Sequence, residues 1–423
     1  LIPVALILAT RGTSKRTGAG LCWLAALAGL SGTVSYYWKV TGPLATIILV
    51  LLQAAAWGFY ANSARLLMET QRSWWVVWRL PLSMAMVDGL MARFSPHGAC
   101  GSLATSQIDF PLVLQVASLV GSPGPIFLAG LFASVVSLAW LRRLDVEKPV
   151  LTYGLPVAVL LAASFFGAYR LSAPKPIDNL TVGLVAVDEM SGAWKAYEER
   201  TRELSAQGAE LIVWAEKIEK LDRTAAQNRL QSLQVLAEEL KVPIVVGVQQ
   251  EASNVAWIIN ASGALLGSYQ KQQLVPYLES DLQAGSKDFQ FPLGNHKIGV
   301  VICRDLFFPS LARRYGQLGV QVVVSPAWDF YHDAKVSSAV AAIRGVESGF
   351  AVVRTAREGL LSVTDHLGRV VAQTRSSEAN GVGLLARLPI KTEAPTVFAR
   401  WGDWFSWLCL TLFFLLRTRA QKP

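Results

Sequence analysis

His296-Lys-Ile-Gly-Val-Val-Ile-Cys-Arg-Asp305 runs an apolar, strand-like stretch directly into a cysteine and two charged residues. Pro309 follows and opens a segment with helical spacing to about residue 317. A side chain at the C-terminal end of a buried strand, on the turn into a helix, sits where α/β folds present nucleophiles. The thiolate of Cys303 would be the reactive form, and a neighbouring cation favours it. Taken alone, a single cysteine also reads as a small buried apolar residue.

The same pattern recurs to either side. Leu211-Ile-Val-Trp214 is a short strand followed by Ala215 and Glu216, and Trp257 to Tyr269 supplies a strand and a turn before Lys271. Strand-like runs at Leu180–Val187, Leu211–Trp214, Val242–Val248, Trp257–Asn260, Lys297–Ile302, Val322–Ser325 and Ala351–Thr355 alternate with helical spacing at Thr224–Leu240, 309–317 and 335–349. Alternation of this kind predicts an α/β domain around a largely buried sheet. Strand ends on one rim would bring a carboxylate, an ammonium and a thiol together, a set sufficient for acyl transfer. The carboxylate takes the thiol proton, the sulfur attacks, and the ammonium stabilises the oxyanion. Each residue also has a plain reading: Glu216 lies in a solvated run with Lys217, Glu219 and Lys220, and Lys271 is a loop cation.

Composition separates this domain from the rest. Of 423 residues, 52% are hydrophobic and 16% charged, with 14 Trp, against about 25% charged in ordinary soluble proteins. A disordered chain is excluded and a wholly soluble one disfavoured. Charge-free stretches give spans near 18–38, 43–62, 122–141 and 150–169, each close to the ~20 apolar residues a bilayer helix needs. Residues 74–91 are a further candidate carrying Arg79 and Asp88, charges that inside a span face the bundle interior or reach toward its edge. Leu1–Thr10 reads as the tail of another span, and Trp401–Leu416 as a short one anchored by Trp401, Trp404 and Trp407. The expected division is a transmembrane bundle over 1–171, an α/β domain over 172–398 opened by Ser172-Ala-Pro-Lys-Pro-Ile177, and a final span and tail over 399–423.

The net charge of +9 is concentrated in the short connections. Arg11, Lys15, Arg16, Arg65, Arg72, Arg142, Arg143, Lys148, Arg417, Arg419 and Lys422 face only Glu69, Asp145 and Glu147 there. The positive-inside rule puts those segments in the cytoplasm and the α/β domain outside it. Alternation then places Leu1 on the outer side, implying roughly one further span before it. The α/β region has no basic patch interleaved with aromatics, so no nucleic-acid partner is expected. Cys22, Cys100, Cys303 and Cys409 form no disulfide framework, and His97, His296, His332 and His366 share no metal-ligand spacing.

Leu211-Ile-Val-Trp-Ala-Glu216, Tyr269-Gln-Lys271 with Leu274-Val-Pro-Tyr-Leu-Glu279, Ile302-Cys-Arg-Asp305, Ala327-Trp328 and Arg344-Gly-Val-Glu347 resemble, in order, segments of the nitrilase or carbon-nitrogen hydrolase superfamily. Gln107-Ile-Asp-Phe-Pro-Leu112, Gly121 to Phe127, and Ala399-Arg-Trp-Gly-Asp-Trp404 extend the resemblance into the membrane half. Nearly the whole chain is thus similar to the apolipoprotein N-acyltransferase family. Departures are Ala215 for Pro, Gln273 for His, Tyr277-Leu278 for Phe-Gly, Arg304-Asp305 for Tyr-Glu, and Ser325-Pro326 for Asn-Asp.

The resemblance implies an α-β-β-α sandwich joined to a polytopic helical membrane bundle, in a monomer of the bacterial inner membrane with its catalytic domain on the periplasmic side. It implies a ping-pong reaction without cofactor or metal. Cys303 would take an acyl chain from a phospholipid as a thioester, then pass it to the N-terminal amine of a diacylglyceryl-modified apolipoprotein. Glu216 would be the general base, Lys271 would stabilise the tetrahedral intermediates, and Glu279 would position Lys271. Arg304 and Asp305 would be supporting residues. Arg304 reads either as a surface or ion-paired residue, with Asp305 or Glu279, or as a cation acting on Cys303 or on a lipid phosphate. A hydrolase with water as acceptor, a paralogue acylating another amine, and a scaffold without turnover are the alternatives.

Overall fold

The structure, a computed structural model, describes residues 2–142, 145–174, 178–188, 193–376, 381–391 and 394–419. Leu1, Arg143 of the basic loop, the linker residues 175–177 and Lys422 of the tail lie outside the described residues. Contacts divide the chain into two units, one of Leu1–Phe94, Ser102–Ser172 and Asp403–Pro423, the other of Ser95–Gly101 and Ala173–Gly402.

In the first unit, Lys15–Thr41, Pro43–Thr70, Pro123–Leu141 and Val150–Leu171 are helical segments long and apolar enough to cross a membrane. They coincide with the four charge-poor runs. Residues 74–91 differ from expectation, forming a 3-10 turn at Trp74–Trp78 and a separate 16-residue helix, Arg79–Phe94. Pro81 explains the break, since a residue without an N–H is tolerated in the first helical turn and not further in. The charges on that helix are packed: the Arg79 guanidinium lies 3.6 Å from the Phe413 ring centroid, and Asp88 accepts from the Ser122 hydroxyl at 3.4 Å. The stretch 92–121 contains short helices at Pro111–Leu114 and Ala117–Val120. The last apolar helix starts at Trp404, because Gly402, at φ +64°, ends the preceding helix Val397–Trp401.

The second unit is built on thirteen described strands. In chain order they are β1 (Asn179–Ala186), β2 (Leu211–Trp214), β3 (Lys220–Leu221), β4 (Ile244–Gln250), β5 (Ser253–Ile259), β6 (Leu265–Gln270), β7 (Phe289–Leu293), β8 (His296–Val300), β9 (Val322–Trp328), β10 (Ala351–Arg357), β11 (Leu360–Thr364), β12 (Val370–Arg375) and β13 (Val382–Pro389). One sheet has the order β13-β1-β2-β4-β5-β6 with β3 beside β4; the other runs β12-β11-β10-β9-β8-β7. The central pairs β1–β2, β2–β4, β8–β9 and β9–β10 are parallel, and antiparallel strands flank them.

Side-chain alternation explains why the central strands read as unbroken apolar runs. Val300, Ile302, Val322, Val324 and Val353 face the core between the sheets, whereas Val301, Val323 and Val352 enter a second core beneath the helices Pro309–Gln317 and Ala334–Ser348. A strand buried on both faces needs an apolar residue at every position. The helices Ala193–Ala206 and Arg223–Leu240 contribute Trp194, Tyr197, Leu233 and Leu236 to the core on the other side. The result is an α-β-β-α sandwich in this unit, the other unit being helical with segments of membrane-crossing length.

Trp214, the last residue of β2, is fully buried. Its Nε1–H donates to the Thr201 hydroxyl at 2.8 Å, and Tyr197 and Trp194 pack on it at centroid distances of 4.9 and 5.4 Å. Trp214→Ala is expected to destabilise this domain by about 3–5 kcal/mol, read from chemical unfolding of the detergent-solubilised protein.

Candidate active site

After β8, Val301 donates its N–H to the Val324 carbonyl at 3.1 Å, and the chain then turns sharply at Cys303. Cys303 has φ +46° and opens the 3-10 turn Cys303–Phe307. A residue with a Cβ adopts that left-handed conformation only when its surroundings impose it. Asp305 supplies the constraint. Its buried carboxylate accepts from the Ile302 N–H at 2.9 Å, the Tyr269 hydroxyl at 2.7 Å, and the N–H groups of Gln272 and Gln273 at 3.2 and 2.8 Å. One side chain therefore fastens the cysteine turn to the segment carrying Lys271. Burial pushes Asp305 up to about 6 even though those donors pull the other way.

Lys271 follows β6. Its N–H donates to the Asn254 carbonyl, and its own carbonyl accepts from Gly285. Its ammonium lies 2.8 Å from Glu216 Oε1 and 2.9 Å from Glu279 Oε2, and all three side chains are buried. Asn254 Nδ2 donates to both carboxylates, at 2.7 and 2.8 Å, while Glu279 also accepts from Lys217 Nζ at 3.2 Å and the Val275 N–H at 2.8 Å. Burial alone would lower the Lys271 pKa, but Glu216 and Glu279 outweigh it and hold the ammonium above its ordinary range. Burial would raise Glu279; Lys271 and Lys217 outweigh it and bring the carboxyl down to about 2. The Cys303 thiol is pushed up by burial and then by the Glu216 carboxylate, with Lys271 and Arg354 opposing.

Glu216 is placed by the ends of both sheets. Its N–H donates to the Ala327 carbonyl at 3.2 Å, linking the end of β2 to the end of β9. The neighbouring carbonyl, that of Trp328, accepts from Cys303 Sγ at 3.6 Å. Gly247 on β4 permits this approach, since a Cβ there would lie 2.6 Å from the Ala215 carbonyl oxygen and 2.7 Å from Glu216 Cα. Beyond Trp328, Asp329 forms a buried ion pair with Arg354, whose Nη1 donates to Asp329 Oδ2 at 2.9 Å.

Glu216, Lys271, Glu279, Cys303 and Asp305 thus converge at one end of the sandwich. Arg304 departs from its expectation as a surface residue: it is buried and donates to the carbonyls of Leu274 and Pro96. Lys271 and Arg354 are cations that bear on Cys303. Sequence reasoning gave no role to Asn254, Tyr269, Asp329 or Arg354. Arg354 carried a signal, a charge inside the apolar run Ala351–Thr355, which a buried strand accepts only with a partner.

Residues 185–391 match the carbon-nitrogen hydrolase family, and residues 1–135 match the N-terminal domain of apolipoprotein N-acyltransferase. The apolipoprotein N-acyltransferase of Geobacter metallireducens is 26% identical over 354 residues, covering 73% of this chain and 67% of that protein. That of Gloeobacter violaceus is 24% identical over 366 residues, covering 76% and 68%. Among solved structures, an amidase from Nesterenkonia sp. is 18% identical, covers 52% of this chain and 94% of that one, and has a TM-score of 0.45.

Two outcomes follow from the geometry. Gly247→Ala is expected to slow the reaction of Cys303 with an activated ester about a hundredfold by displacing Glu216, measured by single-turnover kinetics, while leaving the protein folded. The stabilisation from Glu279, whose folded-state pKa is depressed, is full above its ordinary value of 4.5 and lost as pH falls toward 2. Glu279→Gln should therefore flatten the loss of thermal stability below about pH 4.5, as read from melting curves across pH.

Proposed function

The chain belongs to the carbon-nitrogen hydrolase superfamily, in its apolipoprotein N-acyltransferase branch, and from that premise we propose the following reaction. An acyl chain moves from a phospholipid to a thioester on Cys303, then to the N-terminal amine of a diacylglyceryl-modified lipoprotein. The observation that carries this reading is the buried Glu216–Lys271–Glu279 network beside the strained Cys303 turn. Helices of membrane-crossing length in the same chain suit substrates that both carry acyl chains.

Each half-reaction uses the same groups. The Cys303 thiol gives its proton to Glu216 as the sulfur attacks the donor ester carbonyl. Lys271 has three N–H donors, of which Glu216 and Glu279 engage two, leaving one for the oxyanion. Collapse of the intermediate breaks the C–O bond, and Glu216 returns the proton to the departing lysophospholipid oxygen. The acceptor amine then attacks the thioester and gives its proton to Glu216. When the C–S bond breaks, that proton returns to Cys303 and the amide product leaves. The cations clustered in the short loops support a topology in which those loops are cytoplasmic and the catalytic domain lies on the outer side of the bacterial inner membrane.

Incubation with phospholipid should add one acyl mass to the intact protein, removable by hydroxylamine and absent in Cys303→Ala. Glu216→Gln should slow adduct formation by about 10²–10⁴-fold. Supplying a diacylglyceryl-cysteine peptide should discharge the adduct onto the peptide amine. A folded protein that never acquires the acyl mass refutes the reaction, and one that releases only free fatty acid refutes the acceptor.

A further inference from the structure

Arg357, the last residue of β10, is not used in the chemistry above. It is 1% exposed, and its guanidinium carbon lies 3.8 Å from the ring centroid of Trp328. Its Nε and Nη2 are buried and meet no hydrogen-bond acceptor among the described residues. Buried charged donors are normally satisfied, so such a group calls for an explanation. Glu358, next in the chain, acts on it through its charge, and three other nearby acids have partners of their own. Glu216 accepts from Lys271 and Asn254, Asp329 pairs with Arg354, and Asp188 accepts from the Glu358 N–H at 2.7 Å and the Ser376 hydroxyl at 3.0 Å.

The position of this guanidinium is informative. Trp328 presents its ring to Arg357 and its carbonyl to the Cys303 thiol, so the free donors lie one residue from the nucleophile. Lys217 Nζ is a second cation at the same ring, 5.4 Å from its centroid. A guanidinium with unpaired donors and, at the same ring, an ammonium that also pairs with Glu279 supply the charge and the donors that a phosphate takes. We propose that Arg357, assisted by Lys217, holds the phosphodiester of the donor phospholipid and thereby sets its ester carbonyl over Cys303. This rests on the phospholipid-donor reading given above. In a glycerophospholipid the phosphate and the ester carbonyl are a few bonds apart, so one molecule reaches both points. The acceptor offers an amine, which two cations do not attract.

The test compares two donors of identical acyl chain, phosphatidylglycerol in mixed micelles and the p-nitrophenyl ester, which has no phosphate. The readout is the initial rate of acyl-Cys303 formation by intact mass. Arg357→Gln should lose about tenfold or more with the phospholipid, stay within about twofold with the nitrophenyl ester, and recover in part as Arg357→Lys. Equal losses with both donors would make Arg357 a prop for Trp328 and overturn the proposal, as would no loss with either. Inorganic phosphate tests the other source of the same chemistry. If it alters the nitrophenyl-ester rate of the native protein but not of Arg357→Gln, while phospholipid use is equal in both, free phosphate is the occupant and the lipid assignment falls. A native protein acylated by the nitrophenyl ester but never by phospholipid refutes the donor reading itself, and with it this role for Arg357.

Discussion

An ammonium ion cannot be taken out of water by itself, and the catalytic end of this domain is organised around that constraint. Lys271 is buried between Glu216 and Glu279, and the desolvation of three charges is offset only because nearly every oxygen has a donor. Asn254, Lys217 and the Val275 N–H supply the remainder. Removing one partner from such a buried set typically costs about 3–5 kcal/mol, since it strands a charge. The network therefore fixes protonation as well as position. It holds the lysine ammonium above its ordinary range, while burial and then the Glu216 carboxylate push the thiol up.

Much of this was legible in the sequence where burial is two-sided. β2 and the helix Pro309–Gln317 fall where their patterns put them, and β9 and β10 extend the expected runs by a few residues. Edge elements were not legible. β7 and β13 mix buried with exposed positions, β12 has no buried position, and all three carry Pro, Gln, Thr or Arg, so they lack the continuous apolar signal of the central strands. In the helical unit, a run judged on hydropathy alone concealed the break before Pro81.

The triad residues were found from strand ends and flanking motifs, whereas their supports were not. Asn254 reaches the two glutamates because β5 begins earlier than its apolar run suggests. Asp305 accepts hydrogen bonds from groups more than thirty residues away in sequence, Tyr269 and Gln272 among them. Such contacts depend on sheet register and turn geometry, which local spacing does not encode. Arg304 shows the converse. Its neighbour in sequence is the nucleophile, yet its hydrogen bonds go to Leu274 and Pro96.

The hydrogen bond from the Glu216 N–H to the Ala327 carbonyl has a consequence for evolution of the chain. Base and nucleophile belong to different sheets, so the thickness of the valine-rich layer between them acts as a gauge for proton transfer. Val213, Val245, Val322, Val324 and Val353 fill that layer. Interiors are close-packed, so a methyl group gained or lost there is felt by its neighbours, and here those neighbours set the spacing of base and nucleophile. Ordinary core residues far from any substrate are thus held to a finer tolerance than stability alone demands.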